Sequence, residues 1–216
     1  MTKTTVVGGT GYVGSAIVRE ATSRGIPVIS YSRSPAAADQ LPGVTYRQAS
    51  VLETAVQKEI MSSGDVIVCA LSPRDDMTGK VADIYKKLAE LATPEDVRLI
   101  IIGGFGSMRP APGQPRLAES EKIAAEFAAE AKEIASVVEH LQREASEDLD
   151  WLFVSPAEEF GAHIPGEARG KYRVGDDVAF YDEQGNSAVS GADFAKAIVD
   201  EIEQPSHRHA HISIAY

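Results

Sequence analysis

Short runs of β-branched residues alternate along the first half of the chain with stretches whose apolar positions recur every three or four residues. Thr4, Thr5, Val6 and Val7 open the series as a strand. Residues 12–24 then carry Val13, Ala16, Ile17 and Ala21 on one side of a helix. The same reasoning predicts strands over 26–31 and 44–48, a helix over 53–62, a strand over 65–70, a helix over 79–92 and a strand over 97–102. The runs at 65–70 and 97–102 are apolar almost throughout rather than alternating. A strand that hides both faces belongs to a parallel sheet whose crossover helices cover it front and back. The expected fold class is therefore α/β, a doubly wound parallel sheet.

The texture changes in the second half. Residues 103–115 form a Gly- and Pro-rich loop longer than a connector needs to be, and such loops often carry function. A long helix is expected over 117–145 and a sixth strand over 150–155. Residues 161–175 are rich in glycine, with Tyr172 and Val174 alternating toward a hairpin partner at 177–181. A helix over 192–203 and a strand over 211–214 close the chain. Without a repeat or linker, residues 1–216 read as one domain. Its core covers about 1–155, and a small C-terminal substrate lobe, about 156–216, is grafted on the same sheet.

Gly9, Gly11 and Gly14 satisfy Gly-x-Gly-x-x-Gly between the first strand and the first helix, and with Gly8 the segment also reads Gly-x-x-Gly-x-x-Gly. There the early glycines permit the tight turn, Gly11 lets the backbone approach a pyrophosphate, and Gly14 lets helix and strand pack closely. The phosphates meet free amides at the helix N-terminus. A dinucleotide-binding Rossmann fold is expected, with Thr10, Tyr12 and Val13 at the phosphates; the bland alternative is a glycine turn that only packs. At the end of the second strand, where a carboxylate would hold a free ribose 2′-hydroxyl, stand Ser32 and Arg33. An arginine flanked by hydroxyls suits a 2′-phosphate, so NADP(H) is favoured over NAD(H). Asp39, the nearest carboxylate, lies too far along to substitute.

Charge narrows the partners. The chain has 21 basic and 32 acidic residues, a net charge of −11 that repels nucleic-acid backbones and anionic lipid. The acidity is local: residues 117–150 hold ten carboxylates against Lys122, Lys132 and Arg143, on what reads as a solvated helix face. Residues 1–35 hold Lys3, Arg19, Arg24 and Arg33 against Glu20 alone, so the glycine end can still receive a phosphate. One cysteine, Cys69, excludes an internal disulfide framework. No apolar stretch reaches the roughly 18 residues of a membrane span, and the opening Met1, Thr2, Lys3 lacks a signal-peptide layout. The expectation is a cytoplasmic monomer or homodimer with a small-molecule substrate and neither a nucleic-acid nor a membrane partner. His207, His209 and His211 would share one face of an extended strand, but no carboxylate or Cys stands at ligand spacing, and no metal is expected.

Residues 7–14 together with Ser32 and Arg33 resemble the atypical short-chain dehydrogenases, and within them the NmrA-like group that includes proposed NAD(P)H-flavin reductases. The likeness extends through 70–73, 103–107, 150–157, 170–173 and 189–195, nearly the whole chain. It implies an NADPH-dependent oxidoreductase that passes hydride to a flavin or a related planar acceptor. Typical short-chain dehydrogenases use a Tyr-x-x-x-Lys pair in which the Lys lowers the Tyr pKa for proton exchange. None of the seven tyrosines here has a lysine four residues on. Ser50 also stands where relatives often carry an Asp that contacts adenine. Hydride transfer to a flavin needs alignment more than acid–base power, so a site without the pair suits it better than alcohol dehydrogenation or sugar epimerisation. A biosynthetic NAD(P)-dependent reductase or isomerase with a pathway-specific substrate, and a non-catalytic NADP(H)-sensing protein, stay open as alternatives.

Loops at the carboxyl ends of the strands should form the pocket. Ala70, Leu71, Ser72 and Pro73 are expected beside the cofactor's ribose or nicotinamide, Gly104 at the cofactor, Phe105, Gly106, Ser107 and Met108 near the reacting ring, and Pro156 and Ala157 as walls. Met108, Phe160, His163 and Tyr172 are expected on the substrate side, His163 as a proton donor titrating near neutral pH. Ser107, just past the strand from which superfamily members present a catalytic serine, is the candidate catalytic residue. Its role would be a hydrogen bond to the substrate or to the nicotinamide carboxamide; the alternative is a loop-capping serine.

Overall fold

The computed structural model describes residues 2–34 and 40–216, so Asp39 lies outside it. In chain order come β1 (Thr4–Val7), α1 (Tyr12–Ser23), β2 (Val28–Ser32), β3 (Val44–Gln48), α2 (Thr54–Met61), β4 (Val66–Cys69) and α3 (Val81–Ala92). They are followed by β5 (Arg98–Ile102), α4 (Ala128–Arg143), β6 (Trp151–Pro156), β7 (Arg173–Gly175), α5 (Gly191–Glu203) and β8 (Ala210–Ala215). The strands form one sheet in the order β3-β2-β1-β4-β5-β6-β8-β7. All pairings are parallel except β7 with β8. The doubly wound α/β fold expected from the apolar runs is therefore present.

Alternation along each strand divides the core. Val7, Cys69, Ile101 and Phe153 face the layer of α2, α3 and α4, while Val6, Val68, Ile100 and Val154 face α1 and α5. Both faces are covered, which is why these strands read as continuous apolar runs. Cys69 is fully buried in β4, and burial pushes its thiol far above the ordinary range. Arg24 at the end of α1 ties the second layer together through Asp200 and Glu203 of α5, at 2.6 and 2.7 Å. No helix of the described residues is long and apolar enough to cross a membrane.

Two expectations need correction. The helix predicted over 117–145 begins only at Ala128; before it lie short 3-10 turns at Leu117–Glu119 and Ala125–Phe127. The cause is Leu117, buried against Met108, which draws the chain back under the loop before a helix can start. Nor do residues 173–175 pair with 177–181. Val174 pairs with Ile214 of β8, so the last strand is the partner, and Val178 instead bridges to Arg109. Arg109 Nε donates to Asp177 at 2.9 Å, drawing that segment onto the loop after β5.

Candidate nucleotide-binding cleft

In this strand order the connections after β1 and β4 leave toward opposite ends of the sheet, opening a crevice at the strands' carboxyl ends. A cleft of about 800 Å³ occupies it. Its floor is the glycine turn. Gly8 has φ +88°, and a Cβ there would stand 2.5 Å from the Ala70 carbonyl oxygen, so no side chain is tolerated. A Cβ on Gly14 would run into the Gly8 carbonyl, which is the close approach of helix to strand. Gly9 and Gly14 support the turn from behind, whereas Gly8, Thr10, Gly11, Tyr12 and Val13 line the cleft.

This turn fits a dinucleotide. No side chain among the described residues caps α1, and its first intrahelical bond is Ser15 N–H to Gly11 O at 2.9 Å. The amides of Tyr12, Val13 and Gly14 precede that bond and therefore have no acceptor within the helix. A pyrophosphate held over Gly11 would supply it.

The other walls come from four separate parts of the chain. Ser32 ends β2 and Arg33 follows it; Ala70, Leu71, Ser72 and Pro73 follow β4; Gly104, Phe105 and Ser107 follow β5; Pro156 ends β6, and Ala157, Phe160 and His163 follow it. Tyr85, buried on α3, accepts the Leu71 N–H at 2.7 Å and fixes that turn from below. Tyr12 and Phe160 meet edge to face at 5.6 Å, closing the cleft between glycine turn and substrate lobe. Two residues expected on the substrate side lie elsewhere. Met108 is buried under the loop with Leu117 and Ala179, and the Tyr172 hydroxyl donates to Asp200 on α5.

Ser107 is 1% exposed, lines the cleft, and its Oγ has no hydrogen-bond partner among the described residues. A buried hydroxyl without a partner costs free energy, which makes Ser107 Oγ a candidate donor to a molecule bound in the cleft. Its backbone is pinned by Arg116, also 1% exposed, whose Nη1 donates to the Ser107 carbonyl. Arg116 Nη2 donates to Gln142 at 2.8 Å, and Nη1 lies 3.4 Å from His211 Nδ1. Burial, reinforced by the positive charges of Arg116 and Arg109, pushes His211 down to about 3. The neutral ring presents Nδ1 to Arg116, which can only donate, so Nε2 carries the proton and donates to Ser155 Oγ at 2.8 Å. Residues 207, 209 and 211 therefore do not converge. His207 goes to Glu201, His209 stacks near Trp151, and His211 serves the loop anchor.

The sequence reading missed much of one wall. Ile123, Phe127, Glu130, Ala131 and Ile134 enter from the start of α4, and Arg74 and Met77 from the turn before α3. Arg74 donates to Glu130 at 2.9 Å and lies over the Phe127 ring. The acidic face of α4 is correspondingly not all solvated. Glu133 accepts the N–H groups of Gly79, Val81 and Ala82 at 2.8, 2.7 and 3.2 Å, capping α3. Helical spacing alone gives no sign of which carboxylates turn inward.

A family model described as NAD(P)H-binding matches residues 8–205, from the glycine turn to the end of α5. The chain belongs to the NAD(P)H-binding family. The likeness to atypical short-chain dehydrogenases drawn from the motifs agrees with that placement. A proposed exported protein from Burkholderia pseudomallei is 34% identical, each chain covered in full, with a TM-score of 0.86. A proposed epimerase from Bacteroides thetaiotaomicron is 29% identical over 100% of this chain and 98% of its own, TM-score 0.87. A proposed NADH-flavin reductase from Streptococcus pneumoniae is 27% identical over 100% and 99%, TM-score 0.83.

Proposed function

We propose that the protein is an NADPH-dependent oxidoreductase that passes hydride to a flavin or a related planar acceptor. The make-up of the cleft carries the reading. The glycine turn and Arg33 line it together with the rings of Phe105, Phe127 and Phe160 and with Ile134. The tyrosines that line it among the described residues both have partners. Of the lining tyrosines, Tyr12 donates to Pro165 O at 3.4 Å and Tyr31 to Glu59 at 2.8 Å. Burial and then the Glu59 carboxylate push the Tyr31 phenol up to about 12. The streptococcal relative described as an NADH-flavin reductase supports the same reaction class.

A bound reduced nicotinamide would supply two electrons and a proton as hydride, and solvent the second proton that a planar acceptor takes up. The chain's own residues orient and exclude water. The amides at the start of α1 hold phosphate, Leu71 and Pro73 bound the ribose side, and Pro156 and Ala157 wall the ring. Ser107 Oγ donates to the carboxamide or to the acceptor's polar edge. His163 stands at the open side of the cleft, where it can relay a proton. The reading keeps the cytoplasmic location expected from the sequence. The test is the near-ultraviolet loss of NADPH absorbance with FMN, FAD or riboflavin. Oxidation above the enzyme-free rate is expected, and no acceleration by any flavin overturns the acceptor class.

The relative described as an epimerase favours a second reading, a reductase or isomerase with a pathway-specific substrate. A panel of small carbonyl compounds and quinones beside the flavins separates the two. Tight binding with no turnover on any of them would point to an NADP(H)-sensing protein.

A further inference from the structure

Arg33, the residue read as meeting a 2′-phosphate, already has a partner. Its guanidinium is paired with the Asp76 carboxylate, the two side chains being 44% and 58% exposed. Asp76 belongs not to β2 but to the turn between β4 and α3, on the other side of the cofactor crevice. That turn is anchored without help from Arg33. Arg74 is tied to Glu130, Gly79 and Val81 are tied to Glu133, and the Lys80 Nζ donates to the Asp76 carbonyl at 2.8 Å. Asp75 is held at φ +53°, a left-handed conformation that the anchored turn imposes. Asp76 is thus presented to Arg33 by its own scaffold.

We infer that Asp76 is a specificity-determining residue whose carboxylate competes with the 2′-phosphate of NADP(H) for Arg33. The inference rests on reading Arg33 as the 2′-phosphate ligand. One guanidinium cannot give its full fork to two anions, and the carboxylate left beside a phosphate dianion repels it. The Arg33 hydrogen bond holds the Asp76 carboxyl below the usual carboxylate range, so the competitor stays charged at neutral pH. NADH carries no 2′-phosphate and does not need Arg33 to leave Asp76. Asp76 therefore lowers the affinity for NADPH selectively and narrows the margin between the two cofactors. It also couples cofactor identity to the β4–α3 turn, because a 2′-phosphate releases that turn from β2.

The experiment measures the Kd of NADPH and NADH by calorimetry for the wild type, Asp76→Asn, Arg33→Ala and the double variant. Asp76 is exposed, so folding should survive, and Asp76→Ser serves as a second variant. Asp76→Asn should tighten NADPH by about three- to tenfold without tightening NADH, the range expected when one exposed competing charge is removed from an anion site. In the Arg33→Ala background the same change should do nothing. An unchanged NADPH-to-NADH ratio in Asp76→Asn, equal tightening of both cofactors, or an effect that persists without Arg33 overturns the competition. Equal binding of both cofactors by the wild type, with Asp76→Asn still tightening NADPH through Arg33, refutes the NADPH preference and upholds the competition. No loss of NADPH affinity in Arg33→Ala refutes both.

Discussion

At the scale of single residues the cleft turns on a hydroxyl that the fold does not use. Ser107 could be picked from the sequence because it follows the fifth strand, but its lack of a partner could not, since that depends on what the loop folds against. Removing an unpartnered buried hydroxyl should leave stability within about 0.5 kcal/mol of wild type, because no internal hydrogen bond is lost. The rate should fall if Ser107 orients the ring. Ser107→Ala is expected to keep its melting temperature and to lose about ten- to a hundredfold in kcat, and an unchanged kcat would remove Ser107 from the site. Arg116 gave no such signal, because an arginine between Pro115 and Leu117 reads as a surface charge. Its neighbour His211 makes the buried cluster measurable. Folded His211 is pushed down to about 3 from 6.5, so between these values the unfolded chain binds the proton that the folded chain refuses. Stability from this group is complete above pH 6.5 and is lost as pH falls, by about 2 kcal/mol at pH 5. His211→Gln, which can donate to Ser155 without titrating, should flatten that part of the profile in urea unfolding at the two pH values. An equally steep profile in the variant would mean that the loss arises elsewhere.

At the scale of elements, strands and crossover helices were legible because the pattern of a doubly covered strand is continuous and strong. The start of α4 was not. Residues 117–127 are good helix formers by composition, and what stops them is the burial of Leu117 under the loop against Met108 and Ala179, which helical spacing does not show. The hairpin partner of 173–175 was misread for a related reason: alternation marks a strand but not its neighbour, and β8 lies nearly forty residues further on. Helix ends are similarly non-local. α3 has no side-chain cap of its own, and Glu133 on α4 accepts its first amides instead. A carboxylate on two or three helix-terminal N–H groups does the work of an N-cap and fixes α3 against α4 at once. Glu133→Ala should therefore cost about 1–2 kcal/mol, seen as a lower urea midpoint with an unchanged slope. A cost near zero would show that solvent caps α3 equally well.

At the scale of the whole molecule, the cleft is a product of topology rather than of any one segment. Its walls come from the ends of β1, β2, β4, β5 and β6 and from α4, so every layer of the fold contributes. The glycine turn and the motif residues after β2, β4, β5 and β6 were legible as one group, and they do line one cleft. The wall that Phe127 and Ile134 form needed the packing of α4 to be known. Charge follows the same division. The net −11 is concentrated on and around α4, while the glycine turn and Arg33 lie within a basic stretch. Short-range amides and Arg33 can then outweigh a repulsion that acts over longer distance and is screened within about 8 Å at physiological salt. Because binding engages so many elements, it should stabilise the sheet as one unit. At a ligand concentration a hundred times Kd, mass action adds about 2.7 kcal/mol to the folded state. For a chain of this length that corresponds to a rise in Tm of about 5–10 °C, in a single transition. Thermal unfolding followed by circular dichroism at matched multiples of Kd for NADPH and NADH checks it. A shift confined to part of the transition would mean that the cleft closes on the ligand locally, without drawing on the sheet that frames it.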